Sequence, residues 1–313
     1  MHGIVQNAAG WPAATPLGRV GFIGAGRVGQ TLARALAQAG VGVTEVSSRS
    51  AASARALSLG VQAVAPPPRV QAQPQAVVDA CDTVFITVND DQIQAVAQAL
   101  SWRAGQCVVH CSGATELGAL ASAVSAGGVA AGFHPLHTFG DVESALVGLP
   151  GCAVAVESAD PQAAAWLADL ARRIGARPFA LPHGGRALYH ASAHYAGALV
   201  VTLMDEALQH WARLGVSPTQ ALQALLPLLR STVRAIESQG LGPGMAGVVV
   251  RGDTGTLAQH LQALGAVGAP EQRLYADISL RSVRLALASG RISADQAQAL
   301  RALLEPAASA HRV

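Results

Sequence analysis

The sequence predicts an α/β domain with a parallel sheet covered by helices, followed by an all-helical C-terminal domain. Three observations carry this expectation. Over roughly the first 180 residues, short apolar runs alternate with helical stretches, the pattern of strand–helix–strand units. Several of those runs, such as Cys107 to Cys111, carry almost no polar residue, as strands covered on both faces should. After His183-Gly184-Gly185 the strand signals end and helical periodicity continues to the C-terminus.

Taken in order, Met1 to Pro16 is broken by Gly and Pro and lacks the basic start and apolar centre of a signal peptide. Residues 1–16 therefore read as a flexible leader on a cytoplasmic protein, 17–183 as the sheet domain and 184–313 as the helical domain. Strands are predicted over Arg19 to Ile23, Val41 to Val46, Thr83 to Val88, Cys107 to Cys111, Val129 to Phe133, Cys152 to Val156 and Arg177 to Leu181. Helices are predicted over Arg27 to Gln38, Ala51 to Leu59, Asp91 to Leu100 and Asp160 to Ile174, the last with Asp as N-cap and Pro at the first helical position. Pro66-Pro67-Pro68 and the Gln/Pro stretch to Pro74 read as a loop. Beyond Arg186 one helix is expected to run to Leu214, about 43 Å at 1.5 Å per residue. Pro218 to Glu237, Thr254 to Leu264, Pro270 to Ala288 and Ser293 to Leu304 supply the rest. The long helix is apolar on several faces, more than short neighbours can cover, which predicts a homodimer through the helical domain.

Composition narrows the function. Of 313 residues, 51% are hydrophobic and 13% charged, and the net charge is +2, which excludes both a disordered chain and a basic nucleic-acid binder. The mean hydropathy is +0.34, yet the best apolar run, Tyr195 to Met204, stops at Asp205-Glu206, so no membrane span is expected. All 21 basic residues are Arg and none is Lys. That excludes a P-loop, whose Lys binds phosphate, and Schiff-base chemistry, which needs an amine. Cys81, Cys107, Cys111 and Cys152 have no zinc-binding spacing and read as reduced core thiols.

The strongest motif is Gly24-Ala25-Gly26-Arg27-Val28-Gly29, a G-x-G-x-x-G between an apolar strand and a helix. Gly24 permits the tight turn, Gly26 admits a pyrophosphate to the backbone, and Gly29 lets helix and strand pack closely. The helix start then offers amides and partial positive charge to phosphate. In this context the motif predicts a Rossmann-type dinucleotide site. The end of the second strand decides which dinucleotide. An acidic residue there suits the ribose of NAD, whereas hydroxyls and an Arg suit the 2′-phosphate of NADP. Ser48, Arg49 and Ser50 favour NADP; Glu45, 19 residues after Gly26, is the competing signal for NAD and is expected inside the strand.

Further polar clusters follow strand ends, where open α/β sheets bind ligands. They are Val88-Asn89-Asp90-Asp91, His110-Cys111-Ser112-Gly113-Ala114 and His134-Pro135-Leu136-His137-Thr138-Phe139. Tyr189-His190-Ala191 and Arg251-Gly252-Asp253 lie in the helical part. Together these segments resemble, from about Gly18 to Tyr275, the family of predicted oxidoreductases that joins a Rossmann-like domain to "domain of unknown function 2520". That family is similar to 6-phosphogluconate dehydrogenases, pyrroline-carboxylate reductases and prephenate dehydrogenases, and one branch comprises alternative ketopantoate reductases. The resemblance implies a helical dimerisation domain and a reductase of a small oxo acid. The chain departs from the family at Ala198, where an Asn is common, and at Ala246-Gly247-Val248, where Thr-Gly-Pro is common. Relatives that rely on a Lys cannot operate here unaltered. Prephenate-type dehydrogenases place a His-Pro turn beside the nicotinamide, which His134-Pro135 matches.

Carbonyl or imine reduction needs a proton donor, and His titrates near neutrality. His134 is the leading catalytic candidate and His137 the weaker one, each with the alternative of a loop histidine satisfied by backbone. Ser112 is placed to hold a reacting oxygen, Tyr189 is the alternative acid or base, and His110 reads as a core residue. His190 and His194, spaced i, i+4, lack a third ligand, so no metal site is expected. Arg251 is a candidate grip on substrate charge, or with Asp253 an ion pair or helix cap; His260 is left undecided. The sequence thus predicts an NADP-dependent oxidoreductase moving hydride between NADPH and a small, anionic substrate. An oxidative prephenate-like dehydrogenase and a non-catalytic NADP sensor are the alternatives.

Overall fold

The computed structural model describes residues 18–309, so the expected leader, residues 1–16, lies outside the described residues. Eight strands form one sheet: β1 Val20–Ile23, β2 Val43–Ser47, β3 Arg69–Gln71, β4 Thr83–Ile86, β5 Cys107–His110, β6 Val129–Pro135, β7 Ala153–Ser158 and β8 Arg177–Ala180. Their spatial order is β3-β2-β1-β4-β5-β6-β7-β8. The first six follow the doubly wound dinucleotide-binding order, in which the strand sequence reverses between β1 and β4.

Alternation along the strands builds two cores. On one face Val20, Phe22, Phe85, Val109 and Phe133 pack against Leu32 and Leu36 of helix Arg27–Gln38 and Leu167 and Leu170 of helix Pro161–Arg173. Phe85 stacks on Phe22 at 5.2 Å and meets Phe133 edge-on at 5.9 Å. On the other face Ile23, Val84, Ile86 and Val108 meet Val77, Val78, Ile93 and Leu120.

The structure corrects four expectations. First, the sheet is not wholly parallel: β7 runs antiparallel to β6, and β8 is parallel to β7. Apolar strand residues carry no record of direction, and the reversal follows the short helix Val142–Gly148, which the sequence did not predict. Second, the expected loop after Pro68 contains β3, a three-residue edge strand that pairs with β2 and is polar and largely exposed. Third, helix Pro74–Ala80, which was not expected, follows that loop. Fourth, the long helix is interrupted at Gly197 (φ −110°, ψ −98°), giving Arg186–Ala196 and Ala198–Arg213. The expected boundaries of the first helix, Arg27 to Gln38, agree with the structure.

The chain divides into two compact units at Val201/Thr202. In the second, helices Thr254–Val267, Ala269–Ala288 and Ala294–Ser309 close a core of Leu257, Leu261, Val283, Leu300 and Leu304. Helix Ala198–Arg213 buries no residue, and helix Pro218–Gln239 buries only Ala221. Leu214 and Leu228 are correspondingly exposed, at 77% and 63%. Among the described residues, no helix is long and apolar enough to cross a membrane.

Candidate functional site

The three motif glycines have separate roles. Gly24 sits at φ +101°, and a Cβ there would strike the Thr87 carbonyl and Val88 N. A Cβ on Gly29 would meet Gly24 O at 2.6 Å and Thr87 Oγ1 at 2.7 Å. Thr87 Oγ1 itself donates to Gly24 O at 2.7 Å, a brace after β4 that the sequence did not single out. Gly26, by contrast, has nothing within 4 Å of its would-be Cβ. It is the N-cap of helix Arg27–Gln38 and provides no side-chain cap, so the first-turn amides are open to an anion. Ala25 and Val28 pack into the core, Arg27 donates to Gly140 O at 2.8 Å, and Val88 and Asn89 follow β4 beside the turn. This cradle fits a pyrophosphate.

At the tip of β2 the two competing signals separate. Glu45 is buried within the strand; its carboxylate lies 3.3 Å from Arg69 Nε and accepts from Gln71 Nε2 at 2.8 Å, both on β3. Arg49 is exposed, with no hydrogen-bond or ion-pair partner among the described residues. Ser48 is half-buried, and Ser50 caps helix Ala51–Gln62 through Ser53 N. The free charge at this strand end is therefore a guanidinium, the group that suits a 2′-phosphate.

A second cluster forms at the ends of β5 and β6. His134 is half-buried, and its Nδ1 lies 2.8 Å from the Tyr189 hydroxyl. Helix Arg186–Ala196 supplies Tyr189 and also His190, whose ring is 6.1 Å from that of His134. Burial, then His190 and Arg186, push the His134 imidazole down to about 4, with Asp90 opposing. Burial pushes the Tyr189 phenol up to about 12, with Arg186 opposing. At neutral pH both groups are uncharged and share one hydrogen bond, an arrangement suited to passing a proton. Ser112 is buried, and its Oγ accepts from Ala114 N and Thr115 N, which shapes the turn and leaves the hydroxyl proton to donate. Gly113 has no room for a Cβ, which would lie 2.8 Å from His134 Nε2 and 2.7 Å from His190 Cδ2.

The remaining candidates have partners of their own. His137 packs edge-on to Phe139 and against Gly148. Arg251 lies in the second unit, exposed and 3.8 Å from Asp253, which caps helix Thr254–Val267 through Thr256 N. His260 Nδ1 pairs with the Tyr275 hydroxyl at 2.8 Å. All four cysteines are free thiols. Sequence reasoning missed Arg186 and Glu157. Arg186 is completely buried, bound through Nε to Glu157 Oε2 at 2.7 Å and through Nη1 to Ser112 O at 2.7 Å. The only available signal was one Glu in the otherwise apolar run Cys152 to Val156-Glu157.

Comparison with known proteins gives two family matches. Residues 19–113 match the family described as NADP oxidoreductase, coenzyme F420-dependent, and residues 152–282 match the domain of unknown function DUF2520. A candidate NADP oxidoreductase from Bacteroides fragilis is 21% identical, with 86% of this chain and 97% of that one covered and a TM-score of 0.63. A reductive aminase from Aspergillus terreus, in complex with NADPH and ethyl-5-oxohexanoate, is 15% identical over 93% and 94% (TM-score 0.56). A 1-pyrroline-5-carboxylate reductase from Streptococcus pyogenes is 15% identical over 93% and 98% (TM-score 0.56). These structures share the fold. No curated protein matches the sequence.

His110 faces the same cluster with both ring nitrogens buried and without partners among the described residues. Burial, then Arg186 and His134, hold its imidazole down at about 3 against an ordinary 6.5. Between those values the unfolded chain binds the proton and the folded chain does not, so stability falls as pH drops through that window. His110→Leu is expected to change stability at neutral pH by less than about 1.5 kcal/mol. It should also flatten the acid loss by up to about 1.4 kcal/mol per pH unit. Denaturant titrations from neutral pH downward check this; an unaltered acid slope contradicts it.

Proposed function

We propose that this chain, which joins a nucleotide-binding segment of the NADP-oxidoreductase type to a DUF2520 domain, is an NADP-dependent reductase of a small, anionic C=O or C=N compound. The observation that carries the reading is the pair of sites at the strand ends: an uncapped helix start at Gly26 with Arg49 free beside it, and the hydrogen-bonded His134–Tyr189 pair. Gly24, Ala25, Gly26, Arg27, Val28 and Gly29 would hold the pyrophosphate, Ser48, Arg49 and Ser50 the 2′-phosphate, and Val88 and Asn89 the neighbouring backbone. NADPH, when bound, supplies the hydride.

The chain's own part is the proton. With the Tyr189 hydroxyl donating to Nδ1, His134 carries its proton on Nε2, where a substrate oxygen or nitrogen can take it while Nδ1 draws on Tyr189, and the tyrosinate left behind takes a proton back from solvent before the next turnover. This relay needs no imidazolium, which is scarce at neutrality for a group held near 4. Ser112 would hold the reacting oxygen, since no Lys exists for that task. Oxo acids, imines and coenzyme F420 tested with NADPH, and prephenate with NADP, separate reduction from oxidation. Tight NADP binding without any turnover would favour a sensor.

Assembly is proposed as a homodimer through the helical segment. The support is the apolar surface left on helices Ala198–Arg213 and Pro218–Gln239, and a groove in the second unit lined by Leu203, Leu214, Leu264, Leu274 and Ile278.

NADPH is expected to bind at least about tenfold more tightly than NADH, and Arg49→Ala to remove most of that preference, a cost of about 1.5–3 kcal/mol. Calorimetric titration checks it, and equal affinities in the parent protein would refute it. His134→Ala should lower kcat by about 10²–10⁴-fold while leaving NADPH affinity within about twofold; His137→Ala should do much less. Parent-like turnover in His134→Ala, with cofactor bound, passes the role to Tyr189. Light scattering at micromolar concentration should give a dimer mass; a monomer ends the assembly proposal.

A further inference from the structure

Three strands present one residue each in a row across the sheet. His110 on β5 is in register with Gly132 on β6, and Gly132 is in register with Glu157 on β7. Directly opposed residues share a face, and so does His134, two residues beyond Gly132. The middle of this row has no side chain, and the Arg186 guanidinium fills the space: any Cβ on Gly132 would overlap its Nη2.

From that position Arg186 ties together the elements around the His134 cluster. Nε binds Glu157 on β7, Nη1 binds the Ser112 carbonyl after β5, and its backbone N–H donates to Glu116 Oε1 at 3.3 Å. The residue itself opens the helix that carries Tyr189 and His190. The turn it holds, Ser112-Gly113, lies against the His134 and His190 rings.

We propose that Arg186, anchored by Glu157, is the positioning residue of the proton-handling pair: one buried guanidinium fixes the start of the Tyr189 helix to the strand ends that carry Ser112 and His134, and so sets the Tyr189–His134 hydrogen bond. The proposal rests on the reading of His134 as the group that handles the proton. A planar fork suits this task because its donors point in fixed directions; an ammonium on a flexible stem cannot serve Glu157 and Ser112 at once. The pair is buried and hydrogen-bonded, so removing one partner strands the other's charge.

Charge gives a second readout. His134 is faced by His190, Tyr189 and Arg186 from the helix, by His110 from β5, by Glu157 beyond Arg186 on β7, and by Asp90 from the turn after β4. Arg186 is the one permanent positive charge among them, and it disfavours the imidazolium.

The test is an NMR titration of the His134 ring together with kinetics. Arg186→Met combined with Glu157→Gln removes both charges at similar volume and strands neither. It should raise the His134 midpoint above that of the parent and lower kcat more than about tenfold. Arg186→Lys keeps the charge but not the fork. It should keep the midpoint near that of the parent while lowering kcat about tenfold, with KM for NADPH within about twofold. An unchanged midpoint in the folded double variant overturns the proposal, as does full kcat in Arg186→Lys. The titration needs no substrate, so an inactive parent protein would count against the reductase reading and leave the midpoint to decide the role of Arg186.

Discussion

A buried ion pair organises this end of the sheet. Arg186 has no exposed surface, and a guanidinium out of water must find carboxylate and carbonyl partners or the fold loses several kcal/mol. Glu157 and the Ser112 carbonyl are those partners, and each belongs to a different strand end. Satisfying the charge therefore fixes β5, β6, β7 and the following helix relative to one another. The antiparallel course of β7 is part of the same constraint, since it brings Glu157 opposite Gly132, where the missing side chain leaves room for the guanidinium.

The legible and illegible parts of the sequence divide along local and non-local physics. The glycine turn and helix Arg27–Gln38 could be read because each requirement falls within a few residues: a positive φ at Gly24, close packing at Gly29, an open helix start at Gly26. Ser112 and His134 could be read as candidates because polar residues beside buried apolar runs stand out, although His134 falls inside β6 rather than after it, and Tyr189 because it lies near the start of the helix that follows the sheet. Their partnership could not, because His134 and Tyr189 are 55 residues apart. Arg186 was hidden among 21 arginines, most of which are surface charges in sequence terms, and its burial depends on a gap in another strand. The direction of β7 and the short edge strand β3 were lost for a related reason: neither direction nor edge pairing leaves a mark on hydrophobic periodicity.

Cofactor choice shows how the fold turns an ambiguous motif into a definite one. Glu45 and Arg49 are four residues apart and point to different dinucleotides. The strand missed from sequence decides between them, because β3 brings Arg69 and Gln71 onto Glu45 and occupies its carboxylate. An acid already engaged inside a strand cannot also reach ribose hydroxyls beyond the strand's end. The edge strand thus occupies the Glu45 carboxylate and leaves Arg49 as the free charge at this strand end.

The two family matches and the two compact units do not share a boundary, and the mismatch has a physical meaning. The DUF2520 match begins at Cys152, inside the first unit, and takes in β7, β8, Glu157, Arg186, Tyr189 and His190. His134 lies in neither match. The NADP-oxidoreductase match therefore ends before the sheet does, and the DUF2520 match brings β7, β8 and the Glu157–Arg186 pair. Because the Arg186 guanidinium is bound to Glu157 on β7 and to the Ser112 carbonyl after β5, the domain of unknown function is not a detachable helical appendage. Its first fifty or so residues are part of the sheet domain's packing, and the hydrogen bond between Tyr189 and His134 closes across the join.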